Sequence, residues 1–421
     1  MPRTIIEKIF SEHLRSTKDP VEPGRIIWIT IDIRSARDFG GASVVSHLEK
    51  YYPDKPVGDP KKTLFTFDCN APATTTGYAD NQQRCRIFAE RHGIKVYDVD
   101  AGIGSHILFE DNYARPGRTI VGTDSHMNIL GAIGCFGQGM GDQDIAFVWA
   151  NGYTWFEVPE TVKITIKGDL QFPVTAKDLT LFLAGELGTE KLLGKAAEFY
   201  GPTIRAMNIE ERITLASMAT EMGAIVALIP PDEFTRDFDG FNYDLDEWRV
   251  YQPDKDAQYS DELDFNITDL PPMVARPGSP NDVVPISEVA GRKVNTAFLG
   301  SCTNGRLSDM EAAIRILGNR HIASGRTMKI TPATRRVYSE MLDHGYIEKF
   351  FRAGALIQSP GCGGCASGQV GMTGEKEVQV STSNRNFKGK QGKGDTYLTS
   401  PAVAAAAVLT GELTDPREVM P

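Results

Sequence analysis

Short apolar runs alternate with helix-like stretches along most of the chain, and this pattern constrains the fold most. The runs at 25–33, 63–68 and 95–99 have the length and composition of strands, whereas 79–92 has the spacing of an amphipathic helix. Strands that alternate with helices are typical of α/β proteins, in which parallel strands are joined by crossover helices. The sequence therefore predicts an α/β fold.

A second α/β unit is predicted beyond a segment at 232–280 that is rich in Asp, Pro, Tyr and Asn. We interpret this segment as an inter-domain linker. After it, a strand at 294–299 runs into a glycine-containing loop, and a helix follows. The length of 421 residues fits two or three domains at about 150 residues each. We predict N-terminal α/β lobes over 1–284 and a C-terminal lobe over 285–421.

The charge balance argues against a general nucleic-acid binder. The chain has 45 Lys and Arg residues against 55 Asp and Glu, a net charge of −10, and no basic face is expected from it. A local basic pocket for a small anion remains compatible with this balance. No apolar run approaches the roughly 18 residues that a membrane helix needs, and the N-terminus resembles an amphipathic helix more than an export signal.

Six cysteines in a chain of this length are too few for a disulfide scaffold. We expect a cytoplasmic protein with reduced thiols and no membrane partner. Cys362 and Cys365 form a Cys-Gly-Gly-Cys motif, and Cys302 lies upstream in Gly-Ser-Cys-Thr-Asn-Gly after a predicted strand. Because loops at strand ends in one layer open on the same side, the three sulfurs are expected to converge.

Spacing alone leaves four interpretations of these cysteines open. They fit a [4Fe–4S] cluster with three thiolate ligands and one open iron, a structural metal site completed by histidine, a redox dithiol, or ordinary buried thiols. An open iron is a Lewis acid that can hold a substrate hydroxyl, whereas structural zinc and electron-transfer clusters normally have four protein ligands. The other cysteines read as small core residues, with Cys69 as the exception.

Four motifs resemble the aconitase superfamily in order and spacing. They are Gly-Thr-Asp-Ser-His at 122–126, Gly-Ser-Cys-Thr-Asn-Gly-Arg at 300–306, Pro-Gly-Cys-Gly-Gly-Cys at 360–365 and Ser-Thr-Ser-Asn-Arg-Asn-Phe at 381–387. The resemblance runs from the first helix to the alanine-rich C-terminal segment. It implies an aconitase-like multi-lobe α/β/α architecture around an iron–sulfur cluster.

The length relates the chain to one branch of that family. It resembles the large subunits of 3-isopropylmalate dehydratase, homoaconitase and 2,3-dimethylmalate dehydratase, which lack the swivelling domain that ends the longer aconitases. This resemblance implies a separate small subunit that carries the swivelling domain. It also implies one [4Fe–4S] cluster per chain and a small hydroxy-acid substrate.

The resemblance assigns roles to residues in the two cysteine loops and the loop that follows them. Cys302, Cys362 and Cys365 are expected to hold the cluster. Arg385 is expected to bind a substrate carboxylate, for which the planar guanidinium is well shaped. Asn384 is expected to contribute to substrate binding and to support the cluster region. The alternative for Arg385 is a surface ion pair.

The Asp124-Ser125-His126 loop is expected, by resemblance, to bind substrate and to support proton transfer at the leaving hydroxyl. A carboxylate beside an imidazole orients it and raises its pKa, which suits a general acid. A structural histidine is the alternative. Glu221 matches a family glutamate near the open iron, although a glutamate at a helix end is more often solvated.

Several positions depart from the family pattern. Cys69 follows Asp68 where the family usually has His, and Ser105-His106 stands where it has His-Gln. The remaining departures are Ile31 in place of His before Asp32, Ser217 in place of Asn, and Lys390 in place of a second carboxylate-binding Arg.

Three explanations of these departures stay open. The substrate or reaction differs, for example one-way dehydration; Asp68 and His106 compensate for the lost histidines; or Cys69 becomes a fourth ligand and closes the iron. Lys390 keeps a positive charge without the planar fork, so a carboxylate is expected to be held differently.

The resulting prediction is the large subunit of a hydro-lyase that acts on a hydroxy di- or tricarboxylate. The open iron binds the hydroxyl, His126 with Asp124 protonates it, and the base lies on the absent swivelling domain. No nicotinamide is expected. The rival predictions are a non-enzymatic iron–sulfur sensor or RNA-binding regulator, and a structural partner that only scaffolds another subunit.

Overall fold

The computed structural model of the chain describes residues 2–238, 251–365, 368 and 370–421. The first helix, α1 (Ile5–Glu12), buries its apolar side, and a capping box between Thr4 and Glu7 fixes its start. This confirms the amphipathic helix predicted at the N-terminus. None of the helices in the described part of the chain is long and apolar enough to cross a membrane.

The first lobe contains an antiparallel ribbon and a parallel sheet. The strands are β1 (Ile26–Thr30), β2 (Ile33–Arg37), β3 (Thr63–Thr66), β4 (Lys95–Tyr97), β5 (Thr119–Gly122), β6 (Phe136–Gly139) and β7 (Tyr153–Glu157). The ribbon pairs β1 with β7, and the five-stranded sheet has the order β4-β3-β2-β5-β6. Its helices are α2 (Asp38–Tyr51), α3 (Thr76–His92), α4 (Gly104–Glu110) and α5 (Asp142–Asn151).

The single strand predicted at 25–33 is two strands in the structure. The chain leaves the ribbon at Thr30 and enters the parallel sheet at Ile33, with the buried side chain of Ile31 between them. Asp32 accepts hydrogen bonds at this corner from the amide of Thr119 (3.0 Å), and its carboxylate contacts His13 (2.8 Å). A largely apolar run such as 25–33 conceals this change of sheet.

The second sheet is parallel throughout and has the order β10-β9-β8-β11. Its strands are β8 (Thr161–Lys167), β9 (Ala196–Tyr200), β10 (Val226–Leu228) and β11 (Asp261–Asn266), and its helices are α6 (Ala176–Leu187), α7 (Pro202–Ala206), α8 (Ile209–Ser217) and α9 (Glu233–Asp237). Helix α9 and strand β11 lie inside the predicted linker at 232–280, so that prediction was wrong for these parts. Residues 239–250 of it lie outside the described residues.

The third sheet has seven strands in the order β13-β12-β18-β17-β14-β15-β16. They are β12 (Met273–Ala275), β13 (Val283–Pro285), β14 (Thr296–Leu299), β15 (Thr327–Ile330), β16 (Leu356–Ile357), β17 (Val378–Ser381) and β18 (Asp395–Leu398). The last five are parallel, and β12 and β13 form an antiparallel edge. The predicted boundary at 284–285 falls inside β13, so we propose that the C-terminal lobe begins with β12.

The helices of the third lobe are α10 (Leu307–Leu317), α11 (Arg335–Asp343), α12 (Tyr346–Ala353) and α13 (Pro401–Thr410). Helix α13 is apolar on all sides because it lies in the interior, and its alanines allow close packing. Ser400 caps its start by accepting a hydrogen bond from the amide of Val403.

Backbone hydrogen bonds join the first and third lobes at the ends of their strands. The amide of Cys362 donates to the carbonyl of Asp68 (2.9 Å), and the amide of Ile103 donates to the carbonyl of Ala333 (2.8 Å). These loops all follow the carboxyl ends of parallel strands, where α/β folds place their ligands.

Candidate active site

The candidate active site lies where the strand-end loops of the first and third sheets meet. Strands β2, β3 and β5 lead to Arg37, Asp68 and the Asp124–His126 loop, while β14 and β17 lead to Cys302 and Arg385. Parallel strands place all their carboxyl ends at one edge, so residues far apart in sequence share one site.

The loop that carries Cys302 has a backbone conformation that few residues adopt. Gly300 has φ +155° and Ser301 has φ +80°, in the region that disfavours side chains. A Cβ atom at Gly300 would lie 2.6 Å from the carbonyl oxygen of Thr331, so only glycine fits. The loop thereby turns Cys302 inward, where it is 6% exposed.

Cys362 and Cys365 lie on a short turn after β16, and each is 9% exposed. The amide of Cys365 donates to the carbonyl of Cys362 (3.2 Å). Gly363 between them has φ +51°, and a side chain there would collide with Thr331. Gly363 of the Cys-Gly-Gly-Cys motif is thus required by the turn that gathers the thiols.

The three thiols are close enough to influence one another but are not packed as ligands of one small ion. Burial raises the pKa of Cys302 well above its usual range, and Asp124, Cys365 and Cys362 raise it further. Among the described residues, three ligand atoms within 4.8 Å of one another occur only at Asp68, Cys69 and Cys362. A single tetrahedral ion with 2.3 Å bonds needs sulfurs about 3.8 Å apart, so a wider, polynuclear centre suits the three cysteines better.

Arg37 is the central residue of the site that the sequence analysis missed. Its Nε donates to Asp68 Oδ1 (2.7 Å), its Nη1 to Asp124 Oδ1 (3.1 Å) and its Nη2 to Cys362 Sγ (2.6 Å). Burial lowers the pKa of Arg37, but the charges of Asp124 and Asp68 raise it well above the usual value. The sequence signal that could have identified Arg37 is its position at the carboxyl end of a strand and directly before a helix.

The two carboxylates on Arg37 have different proton affinities. Burial raises the pKa of Asp68 to about 6, and the Arg37 charge only partly opposes this. Burial also acts on Asp124, but Arg37 and His126 outweigh it and lower the pKa of Asp124 below its ordinary value. Carboxyl groups whose pKa values are pushed apart are typical of sites that transfer protons.

His126 is oriented by Glu221 and not by Asp124, contrary to the expectation from the sequence. Its Nε2 lies 3.1 Å from Glu221 Oε1, whereas Asp124 Oδ1 accepts a hydrogen bond from the backbone amide of His126 (3.0 Å). An Asp side chain readily bonds the amide two residues further on, so it fixes the turn and leaves the ring to another partner.

Arg385 and Ser125 complete the group around Glu221. Arg385 Nε donates to Glu221 Oε1 (2.6 Å), and Ser125 Oγ lies 3.4 Å from both Arg385 Nη1 and His126 Nδ1. Burial would raise the pKa of Glu221, but His126 and Arg385 lower it, so the carboxylate is charged. Glu221 Oε2 is buried and has no hydrogen-bond partner among the described residues.

His106 supports the Cys302 loop. Its Nε2 donates to the carbonyl of Cys302 (2.9 Å), and its Nδ1 lies 3.4 Å from Arg306 Nη1. Burial, together with the Arg306 charge, lowers the pKa of His106 to about 3. The imidazole is therefore neutral near pH 7, and both ring nitrogens are engaged. The predicted role of His106 in proton transfer stays a prediction.

Asn384 and Lys390 lie beside the cysteines. Asn384 Oδ1 is 3.4 Å from Cys302 Sγ, and its Nδ2 donates to the carbonyl of Ser217 (3.4 Å). Ser217 therefore meets Asn384 through its backbone, which any residue provides. Lys390 is half-buried, and its charge lowers the thiol pKa of Cys365, although burial raises that pKa overall.

Of the other residues that depart from the family pattern, one lies far from the site and two lie next to it. Ile31 lies just before the amino end of β2, a strand length from Arg37 and the strand ends that form the site. Ser105 is fully buried, and its nearby hydroxyl contributes to lowering the pKa of Asp124. Cys69 is 5% exposed and its thiol lies near that of Cys362.

Comparison with known proteins shows the family of the chain. A family model described as "Aconitase family (aconitate hydratase)" matches residues 7–411. The chain belongs to the aconitase family. It is 41% identical over 420 residues to a 3-isopropylmalate dehydratase large subunit of Methanopyrus kandleri, with 99% of both chains covered. It is also 38% identical over 405 residues to a probable methanogen homoaconitase large subunit of Methanothermobacter thermautotrophicus, covering 94% of each.

A solved structure supports the fold. The crystal structure of Thermococcus kodakaraensis aconitase X (holo-form) matches with a TM-score of 0.52 and 13% identity, over 86% of this chain and 84% of that one. The predicted aconitase-like α/β architecture is confirmed. The predicted enzyme class, a hydro-lyase, is confirmed by the family and by the relatives named dehydratase.

Proposed function

We propose that this chain is the catalytic large subunit of a [4Fe–4S]-dependent dehydratase that acts on a hydroxy dicarboxylate of the 3-isopropylmalate type. The observation that carries this proposal is the meeting of three buried cysteines, from the loops after β14 and β16, with the Glu221–His126–Arg385 group. In this proposal, the metal centre held by the three cysteines and the guanidinium of Arg385 line the same substrate site. The relative named as a homoaconitase large subunit makes a related tricarboxylate the second candidate substrate.

The donor set fits an iron–sulfur cluster. Cys302, Cys362 and Cys365 would hold it, their thiols are free of disulfides, and buried thiolates are the usual cluster ligands. When bound, a [4Fe–4S] cluster with three thiolate ligands supplies an open iron as a Lewis acid for the substrate hydroxyl. The buried, unpartnered Oε2 of Glu221 marks a polar space of the kind that such a substrate fills.

Arg385 binds a substrate carboxylate in this proposal. Its side chain is 22% exposed, and its Nε is held by Glu221, so the guanidinium is oriented before substrate arrives. A fixed guanidinium plane favours bidentate binding of a carboxylate. Ser125 at its edge and Lys390 nearby would hold the remaining polar groups of the substrate.

His126 donates the proton to the departing hydroxyl. Glu221 orients the imidazole for this step, because its charged oxygen lies 3.1 Å from Nε2. Asp124 fixes the loop, and Asp68, paired with Arg37, serves as a second acidic group at the site. His106 keeps the Cys302 loop in place.

The base that removes the carbon-bound proton lies, in this proposal, on a separate small subunit. The relatives that match the whole chain are named large subunits, which supports such a partner. The partner would close over the face where Arg385 and Ser125 reach solvent. Free thiols at every described cysteine suit a reducing cytoplasm, where we propose that the enzyme works.

Anaerobic reconstitution tests the proposal. The chain is loaded with iron and sulfide, and its EPR spectrum is recorded after mild oxidation and after restoring Fe²⁺. A three-iron signal that disappears when iron returns, with dehydratase activity only when a small subunit is added, is the expected result. Absence of a cluster, or a cluster that never loses one iron, would contradict it. A screen of hydroxy di- and tricarboxylates then separates the two substrate candidates.

A further inference from the structure

A wholly buried lysine stands beside the cysteine loops and has no part in the proposed reaction. Lys177 is the second residue of α6 and is 0% exposed. Its ammonium donates to the carbonyls of Ser383 (2.8 Å) and Thr382 (3.0 Å) and lies 3.5 Å from Met218 Sδ. No carboxylate oxygen among the described residues lies within 4.0 Å of it.

The buried ammonium of Lys177 needs negative charge from groups that lie beyond direct ion-pair distance. Taking a charge out of water costs several kcal/mol, and two carbonyl dipoles and a thioether repay only part of this. Burial accordingly lowers the pKa of Lys177 to about 8. The groups that counteract burial are Glu221, Cys302, Asp309 and Cys365, two of which are proposed cluster ligands.

Lys177 also touches the loop that carries the substrate arginine. Thr382 and Ser383, whose carbonyls it holds, directly precede Asn384 and Arg385. Because Asn384 lies 3.4 Å from Cys302 Sγ, the ammonium, the loop and the thiol form one packed unit. Negative charge placed on the thiols would therefore fall in a region where a buried positive charge is already fixed.

We propose that Lys177 is a positioning residue whose buried positive charge balances the cluster and raises its reduction potential. The proposal rests on the proposed function, since it requires the cluster. A positive charge stabilises the reduced, more negative form of a cluster relative to the oxidised form. Loss of the charge should make the cluster harder to reduce.

The test is an EPR-monitored redox titration of reconstituted protein. Lys177→Gln removes the charge but keeps an amide that can donate to the same carbonyls. We expect the equilibrium constant for one-electron reduction to fall at least tenfold, which is about 59 mV for one electron. Lys177→Arg keeps the charge, so its shift in reduction potential from wild type should be no more than half of the shift in Lys177→Gln.

Lys329 provides a matched control. It is also buried, its ammonium donates to Gly371 O (2.6 Å) and Gln379 Oε1 (2.8 Å), and burial lowers its pKa to about 8. The charge that counteracts burial there is Glu377, with no thiol. In Lys329→Gln, the equilibrium constant for one-electron reduction of the cluster should stay within twofold of the wild-type value.

The outcomes separate this inference from the proposed function. If wild-type protein holds no cluster, both fail. If wild-type protein holds a cluster, two results would overturn only the role of Lys177. One is a reduction potential in Lys177→Gln equal to that of wild type, and the other is an equal shift of the potential in Lys177→Gln and Lys329→Gln. A Lys177→Gln apoprotein that cannot fold would also overturn it, because a charge that serves the cluster should not be essential before the cluster binds.

Discussion

The guanidinium of Arg37 and the thiol of Cys362 lie 2.6 Å apart, from Nη2 to Sγ. This contact joins the carboxyl end of β2 in the first lobe to the cysteine turn of the third. The same guanidinium holds Asp68 and Asp124. Arg37 thus links, across the lobe interface, the groups to which we assign cluster binding and proton transfer. Its loss should affect both stability and activity.

Arg37→Gln is expected to lower the free energy of unfolding by about 3–5 kcal/mol, because two buried carboxylates lose their counter-charge. Turnover with the small subunit should fall by on the order of 100-fold, since small displacements of catalytic groups are costly. Denaturant unfolding and steady-state kinetics measure the two effects.

Arg86→Gln is the matched control for this variant. Arg86 also makes a forked contact with one carboxylate, Asp98, at 2.7 and 2.6 Å, but both side chains are about one-third exposed. Exposed pairs contribute about 1 kcal/mol or less. Equal losses in the two variants would show that Arg37 has no special place in the site.

The cysteines of the proposed cluster should be separable from the others by iron content. Cys302→Ser and Cys365→Ser are expected to retain less than roughly a tenth of the wild-type iron and sulfide after reconstitution, because an oxygen ligand replaces a cluster thiolate. Cys135→Ser is the control, since Cys135 is buried in the core with its Sγ near Arg118 O. Iron retained in Cys302→Ser would remove that residue from the ligand set.

Cys69 tests whether the iron is open. Its thiol lies near Cys362, within reach of a cluster held there. We expect Cys69→Ser to behave like wild type, losing and regaining one iron in the EPR experiment. If wild type resists loss of iron and the variant does not, Cys69 is a fourth ligand and the catalytic proposal fails.

The sequence predicted the strand-end loops because they contain motifs with a local signature. The cysteine turn and the Asp124–His126 loop can be read directly from residue order. Arg37 and the ring partner of His126 could not, because their roles depend on which loops meet across two sheets. Glu221 was named for its resemblance alone, and its pairing with Arg385 is a contact between residues 164 positions apart.

The sequence likewise predicted some strands of the fold correctly and missed others. Buried parallel strands have largely apolar sequences, so β3 and β14 were predicted correctly. Strand β11 was taken as linker because its sequence, Asp-Glu-Leu-Asp-Phe-Asn, is largely polar. It is an edge strand with exposed positions, and its identity comes from pairing with β8.

Arg385→Lys should raise KM for the hydroxy acid by about tenfold or more while the chain stays folded. The variant keeps the charge but loses the planar fork and the Nε donor to Glu221. Tenfold corresponds to about 1.4 kcal/mol. Arg352→Lys, in an exposed pair with Glu348, should leave KM unchanged. A KM equal to wild type would exclude Arg385 from substrate binding.

Glu221 should leave a mark on the pH dependence of stability. Its pKa is lowered in the folded protein, so the folded state holds the ionised form more strongly than the unfolded state. The resulting stabilisation is fully present above the unfolded value of about 4.3 and is lost as pH falls through the lower folded value. Unfolding free energy should therefore decline below about pH 4.3 more steeply in wild type than in Glu221→Gln.

The size of that effect and its control follow from the contacts. Glu221→Gln should cost about 2 kcal/mol at pH 7, because two charge-assisted contacts, to His126 and Arg385, are weakened. Glu262→Gln removes an exposed carboxylate paired with Lys163 and should leave the slope of stability against pH unchanged. Denaturant titrations from pH 3 to pH 7 measure both variants. Parallel curves for wild type and Glu221→Gln would mean that the Glu221 carboxylate gains nothing from its neighbours, and the proposed orientation of His126 would have to be abandoned.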